Sequence, residues 1–400
     1  MLIIFFLLLV GSLFFPKSRI FVIINLIYIY IAIALRSQSA DMSIYYNEYI
    51  NATIISPDKA DYIGYNIFMR FAHNLGLTYE SYVLFVATIT VVLLIVGVSL
   101  LSKYNNTIAF TLACYMIYPM AHDASQIRTF LSESIVLCML YFLLRSPNIN
   151  SKSKIFTLKL TEKKNIKFVG WKKYLDYIFY LIGSYVAAQI HALTYFFIAI
   201  GLIYMIMRNK WNSKLIYVVS ACLCLIIPSI SFVNLIVKSL MTSGKLMMWA
   251  DASTGLGKWP YIFISVSILI LSKYGLSRIK NITLINKSKY LFYENINKFV
   301  DLGTLIIPLY FMDITYGRLL RIFLICLYII SGEYIFDVHE IYRNRKILKC
   351  IYIFTFILTI SVLYYFENEG TIFKYLIQNN FIIDLLNGTF RDRHIYNYIR

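Results

Sequence analysis

Charged side chains are scarce in this 400-residue sequence, 14% of the total where an ordinary globular domain carries about 25%. Hydrophobic residues fill 60% of it, and the mean hydropathy is +0.68. So little polar surface cannot coat a soluble protein of this length, which excludes a soluble enzyme, a secreted disulfide scaffold and a disordered tail. Cysteine is sparse as well. Cys114, Cys138, Cys222, Cys224, Cys326 and Cys350 lie within apolar runs or at their ends, without a CxxC pair or a histidine at zinc-ligand spacing. They read as buried, inert thiols that report no redox compartment. The patterns GxxxxGK[ST], DxD, HExxH and GxSxG are all missing. Their absence excludes a nucleotide-driven pump and removes support for metal-dependent sugar-nucleotide transfer, zinc hydrolysis and a serine-hydrolase elbow. No metal and no cofactor is expected. No internal repeat or low-complexity tract stands out, and no polar segment is long enough for a separate soluble domain. The chain therefore reads as one integral membrane unit over residues 1–400.

What the sequence does have is a series of apolar runs, each long enough to cross a hydrocarbon core of about 30 Å. Twelve are read: 2–15, 20–35, 81–101, 107–121, 129–144, 174–190, 192–207, 215–237, 260–272, 299–312, 318–336 and 350–366. An all-α, polytopic membrane protein of about 12 helices is the expectation. Residues 2–15 have no lysine or arginine before them, whereas Lys17 and Arg19 follow. That polarity suggests a retained first helix with its N-terminus outside, not a signal peptide. Within the long outer segment 36–80, residues 62–75 pattern as an amphipathic helix lying at the interface.

The charge distribution tests this topology. The formal net charge of +18 suggests nucleic acid at first sight. Yet the segments placed inside (16–19, 102–106, 145–173, 208–214, 272–298 and 337–349) hold 25 basic and four acidic residues. The outside segments hold 13 basic and 12 acidic ones, and the remaining four acids lie in spans. Retention of basic loops in the cytoplasm thus accounts for the whole excess, and no nucleic-acid partner is required. The basic stretch 145–173 reads as a cytoplasmic loop near anionic lipid.

Candidate functional residues cluster at the outer ends of the spans. Arg36 opens the first outer loop, followed by Asp41, Tyr45, Tyr46, Glu48 and Tyr49. Gln126 and Arg128 sit in a tight turn beside His122 and Asp123. His191 occupies the turn between the sixth and seventh spans, and Arg318 and Arg321 open the eleventh just after Asp313 and Tyr316. An ionisable group at such depth costs about 2.5–3.5 kcal/mol on insertion scales, so each is a functional candidate by default. Arg318 and Arg321, three residues apart on a helix, place two guanidinium forks on one face, a spacing suited to a pyrophosphate; the alternative for Arg321 is snorkelling to outer headgroups. Arg128 has little room to reach water between its neighbouring spans. His191 reads either as a satisfied core histidine or as a general base on a sugar hydroxyl. Asp41 and Asp61 are alternative bases or ordinary loop acids. The outer tyrosines, with Trp249 and Trp259, are placed to stack on sugars, although an interfacial belt explains most of them.

In this order the clusters resemble the EpsG family of bacterial exopolysaccharide polymerases, related in role to Wzy-type polymerases. The likeness rests on Arg36…Asp41…Tyr45, Gln126-Ile127-Arg128, the stretch Ala187–Leu193 around His191, and Arg318 near Tyr316, and it runs over about residues 20–340. Two departures stand out. The acid expected before an aromatic pair in the first outer loop is missing unless Asp61, before Tyr62 and Tyr65, supplies it, and Thr129 stands where a polar amide is expected. The resemblance implies a GT-C-like, metal-independent glycosyltransferase in the bacterial cell membrane. Such an enzyme would join polyprenyl-pyrophosphate-linked oligosaccharide units on the outer leaflet, among membrane lipids, with a flippase and a chain-length regulator as possible partners. On this reading Arg128, Arg318 and Arg321 take the pyrophosphate, Arg36 sits at the mouth, and His191 or Asp41 is the base. Two rivals from other classes remain: a flippase for the same lipid-linked oligosaccharide, and a membrane acyltransferase modifying surface glycans. The flippase should show repeated halves with matching intramembrane acids, whereas Glu133 and Glu333 do not occupy matching positions.

Overall fold

The computed structural model describes residues 2–15, 18–35, 42–54, 62–102, 104–145, 162–226, 258–282, 287–311, 314–336, 351–356 and 358–360. Among these residues the protein is all-helical. In chain order the helices are α1 (Leu2–Phe14), α2 (Arg19–Ala34), α3 (Met42–Ile50), α4 (Ile63–Asn74), α5 (Tyr79–Leu101), α6 (Asn105–Ile117) and α7 (Met120–Ser125). They continue as α8 (Ile127–Arg145), α9 (Glu162–Ile190), α10 (Tyr195–Met207), α11 (Ser213–Ile226), α12 (Lys258–Ile282), α13 (Lys287–Leu302) and α14 (Leu320–Phe336). Three-residue to nine-residue 3-10 segments at Ala192–Thr194, Arg208–Lys210, Gly303–Phe311 and Ile314–Leu319 join some of them.

Four segments among the described residues are long and apolar enough to cross a membrane: Tyr79–Leu101, Ile127–Arg145, Ala192–Lys210 and Tyr316–Phe336. These apolar helices mark a membrane protein. Large aliphatic and aromatic side chains also line its outward faces, among them Val92 on α5, Ile178 and Ile182 on α9, and Ile206 on α10. An exposed apolar surface of that extent suits lipid and not water. Helices α8 and α14 are the most enclosed: 78% and 89% of their apolar windows are buried in the bundle. Helix α8 packs between α5 and α9, and α14 packs on α6 and α12. The α5–α8 contact is close because Gly97 has no side chain; a Cβ there would come within 2.8 Å of Leu137 Cγ. Small residues of this kind let apolar helices approach in lipid.

The structure divides some expected spans, and the chain chemistry explains where. The run 107–121 ends its α-helix at Ile117, because Pro119 lacks the N–H that would continue it; the short α7 follows. The run 299–312 changes from α13 to a 3-10 segment at Gly303, and Pro308 lies inside that segment. Residues 162–173 of the expected basic loop form the start of α9, and most of 272–298 is helical in α12 and α13. The amphipathic stretch 62–75 forms α4. It buries Tyr65, Asn66, Met69 and Ala72 and exposes Ile63, Ile67 and Phe71.

Candidate functional site

Arg128 is the second residue of α8. A guanidinium there faces the positive end of the helix dipole, an unfavourable place for a cation unless something nearby compensates. Two kinds of contact do so. Glu48 of α3 accepts a hydrogen bond from Arg128 Nη1 at 2.9 Å. The guanidinium carbon also lies over three tyrosine rings, 3.9 Å from the centroid of Tyr62, 5.1 Å from Tyr45 and 5.6 Å from Tyr65. Even so, Arg128 Nε is buried with no hydrogen-bond partner among the described residues.

Arg321 repeats the arrangement on a second helix. It is the second residue of α14, and only 2% of its surface is exposed. Its Nη1 meets Asp123 Oδ1 at 2.7 Å, and its Nη2 donates to Gln126 Oε1 at 2.8 Å. The other oxygen of Asp123 accepts from the Tyr115 hydroxyl at 2.7 Å. Gln126 therefore supports Arg321, and the turn expected at 122–128 is the helix α7 followed by α8, with Arg128 already helical. Arg318 lies in the 3-10 turn before α14 and is half-buried, like Tyr316. The two arginines thus belong to different helical segments, and Arg321 is engaged by Asp123 instead of snorkelling.

His191 joins the two sets. It ends α9 in an extended conformation, with φ −148° and ψ 119°, and is 3% exposed. Its Nδ1 accepts the Leu193 N–H at 3.4 Å, and Thr194 Oγ1 donates to its carbonyl at 2.7 Å. The ring stacks on Tyr62, with centroids 5.5 Å apart and planes 14° from parallel. Tyr62 therefore touches both His191 and Arg128. The segment Ala192–Thr194 packs against α8 and against the turn carrying Arg318. Burial, then the positive charges of Arg128, Arg318 and Arg321, hold the imidazole well below its usual pKa.

Tyr45, Gln126, Arg128, His191, Tyr316, Arg318 and Arg321 are therefore placed at one end of the bundle. Arg36, Asp41, Asp61, Asp313 and Trp249 lie outside the described residues. The sequence reading named several further contributors without their contacts. Glu48 pairs with Arg128, and Tyr62 and Tyr65 form its aromatic surround. Glu133, buried on α8 two turns beyond Gln126 on the same face, interacts electrostatically with Arg321, Asp123 and Arg318. An acid inside an apolar run is the signal that singles it out; Glu48 stands in the candidate cluster of the first outer loop, but nothing in the sequence pairs it with Arg128. Among the described residues, no three of His, Cys, Asp or Glu are arranged to hold a metal ion.

Residues 18–160 match the EpsG family. The match spans just over a third of the chain and includes Arg36, Asp41, Tyr45, Glu48, Gln126 and Arg128, whereas His191, Tyr316, Arg318 and Arg321 lie beyond it. No curated protein and no solved structure matches the chain. The EpsG match therefore reaches one half of the arginine cluster, and the fold brings the other half to it.

Proposed function

We propose that this protein polymerises polyprenyl-pyrophosphate-linked oligosaccharide units into a surface polysaccharide at the outer leaflet of a bacterial cell membrane. The EpsG match associates the chain with exopolysaccharide biosynthesis. The observation that carries the finer reading is the buried Arg128 guanidinium, with an unpartnered Nε at the N-terminus of α8, beside His191 and within electrostatic range of it. Helix N-termini and guanidinium groups both favour anions, and here they coincide twice, at Arg128 and at Arg321.

In the reaction, an acceptor hydroxyl oxygen forms a bond to the anomeric carbon of the donor sugar. The bond from that carbon to the lipid pyrophosphate breaks, and its electron pair leaves on the pyrophosphate oxygen. Arg128 and Arg318 neutralise the charge that develops there, while Arg321, fixed by Asp123, adds to the local positive field. The hydroxyl proton passes to a base, for which His191, Asp41 and Asp61 are the candidates. The tyrosines around Arg128 offer flat apolar faces to sugar rings.

Purified protein in vesicles, supplied with lipid-linked repeat units, should extend them; translocation without extension would indicate a flippase, and acylation an acyltransferase. Arg128→Ala and Arg318→Ala should each lower polymer formation by about 10²-fold or more while the protein still inserts. Normal chain length in both variants would overturn the assignment.

A further inference from the structure

We infer that His191 serves this site as a hydrogen-bond donor through Nε2–H, holding an oxygen of the departing pyrophosphate, and is not the base. The inference rests on the polymerase reading and decides one of its open roles. A neutral imidazole carries its proton on one nitrogen and accepts on the other. Here the Leu193 N–H points at Nδ1, which must therefore carry the lone pair. The proton is left on Nε2. A base in this orientation would need its lone pair on Nε2. The turn would have to lose the Leu193 bond and the ring its tautomer before catalysis began.

Charge leads to the same conclusion by a separate route. Accepting a proton would turn His191 into a fourth cation beside Arg128, Arg318 and Arg321, inside the protein and stacked on Tyr62. A donor requires no such change. Its N–H dipole adds to the field of the arginines at the moment when negative charge appears on the leaving oxygen. The fixed backbone around the ring suits a positioning role: His191 N donates to Ala187 O at 3.0 Å, and the Thr194 hydroxyl closes on the His191 carbonyl. The hydroxyl proton then falls to a carboxylate. Asp61 precedes Tyr62 directly in the chain, and Asp41 lies four residues before Tyr45.

Two amide substitutions separate the roles, because neither amide accepts a proton as a base. Asn in place of His191 can still cap the Leu193 N–H but has nothing to offer where Nε2 was. Gln carries its amide nitrogen close to the Nε2 position. His191→Asn should therefore insert and melt like the parent yet form polymer about 10²-fold more slowly. His191→Gln should recover at least about tenfold of that loss, and binding of polyprenyl pyrophosphate, followed by thermal shift of the purified protein, should recover with it. If Gln is as slow as Asn, His191 is the base and the inference fails, although the polymerase reading survives. Parent-like rates in His191→Asn would confine the residue to its cap and would also overturn the inference. A parent protein that binds the lipid but extends nothing would instead remove the reading on which it rests.

Discussion

The two ends of the bundle both bury ion pairs, but they complete them differently. At the end away from His191, Arg145 grips Asp176 through Nε, 3.3 Å from each oxygen, and through Nη2 at 2.6 Å. Asp301 accepts from Trp211, Ser213 and Tyr217 and lies 3.2 Å from Lys273 Nζ. Asp176 takes both of its contacts from Arg145 on α8, and Asp301 gathers donors from α11, the turn before it and α12. At the His191 end the balance runs the other way: Glu48 gives one oxygen to Arg128, whose buried Nε has no hydrogen-bond partner among the described residues. A saturated polar cluster holds helices together in a medium that offers no other hydrogen-bond partners. Surplus guanidinium donors of this kind suit an anion.

The contrast breaks if the far cluster matters for chemistry, and Asp301→Ala tests that with the largest effect on stability. Removing this buried carboxylate strands the donors of Trp211 and Tyr217, a loss on the order of 3 kcal/mol. The melting midpoint in detergent should fall clearly, while the fraction that remains folded should polymerise at the parent rate. A folded Asp301→Ala protein with lost turnover would mean that both ends act in the reaction.

Gly64 provides a smaller test at the opposite end. It lies where α4 meets the end of α9, and a Cβ there would come 2.9 Å from Gln189 Cβ and 3.0 Å from its backbone carbonyl. Gly64→Ala should push α4 outward, at a cost of about 1–3 kcal/mol, and separate Tyr62 from His191. Polymer formation should drop about tenfold, with the melting midpoint reduced less than in Asp301→Ala. An unchanged rate would show that the Tyr62–His191 stack is incidental to the site.

This division between the ends was partly legible in the sequence. The ion pairs at the His191 end join groups that the charge pattern assigns outside, Glu48 with Arg128 and Asp123 with Arg321, whereas at the other end Arg145 and Lys273, assigned inside, pair with Asp176 and Asp301, which the hydropathy reading places in spans. Composition and hydropathy gave the all-helical membrane character because burial in lipid constrains nearly every position of a span. The arginines and His191 stood out because charge is costly there. Which residues they pair with did not. The pairing of Glu48 with Arg128 across 80 positions, and of Asp123 with Arg321 across 198, depends on which helices pack together. Periodicity within one helix does not contain that information. The tautomer of His191 was hidden for the same reason, since it depends on one N–H in the following turn.

Glu48 offers the finest test of the comparison, because it is the acid that pairs with Arg128. The pair is only partly enclosed, with 26% of the Glu48 side chain exposed, so its worth is modest, about 1 kcal/mol at most. Glu48→Gln keeps an oxygen for Arg128 Nη1 but withdraws the negative charge that competes with pyrophosphate. If the His191 end is built to receive an anion, this variant should bind the lipid-linked donor more tightly, with KM lower by up to about fivefold and kcat little changed. At the saturated end the equivalent change, Asp176→Asn, should leave KM alone and cost stability instead, because Arg145 has no ligand to exchange for its carboxylate. A rise in KM for Glu48→Gln would reverse the interpretation: the carboxylate would then be the strut that aims Arg128, and the two ends would differ in degree and not in kind.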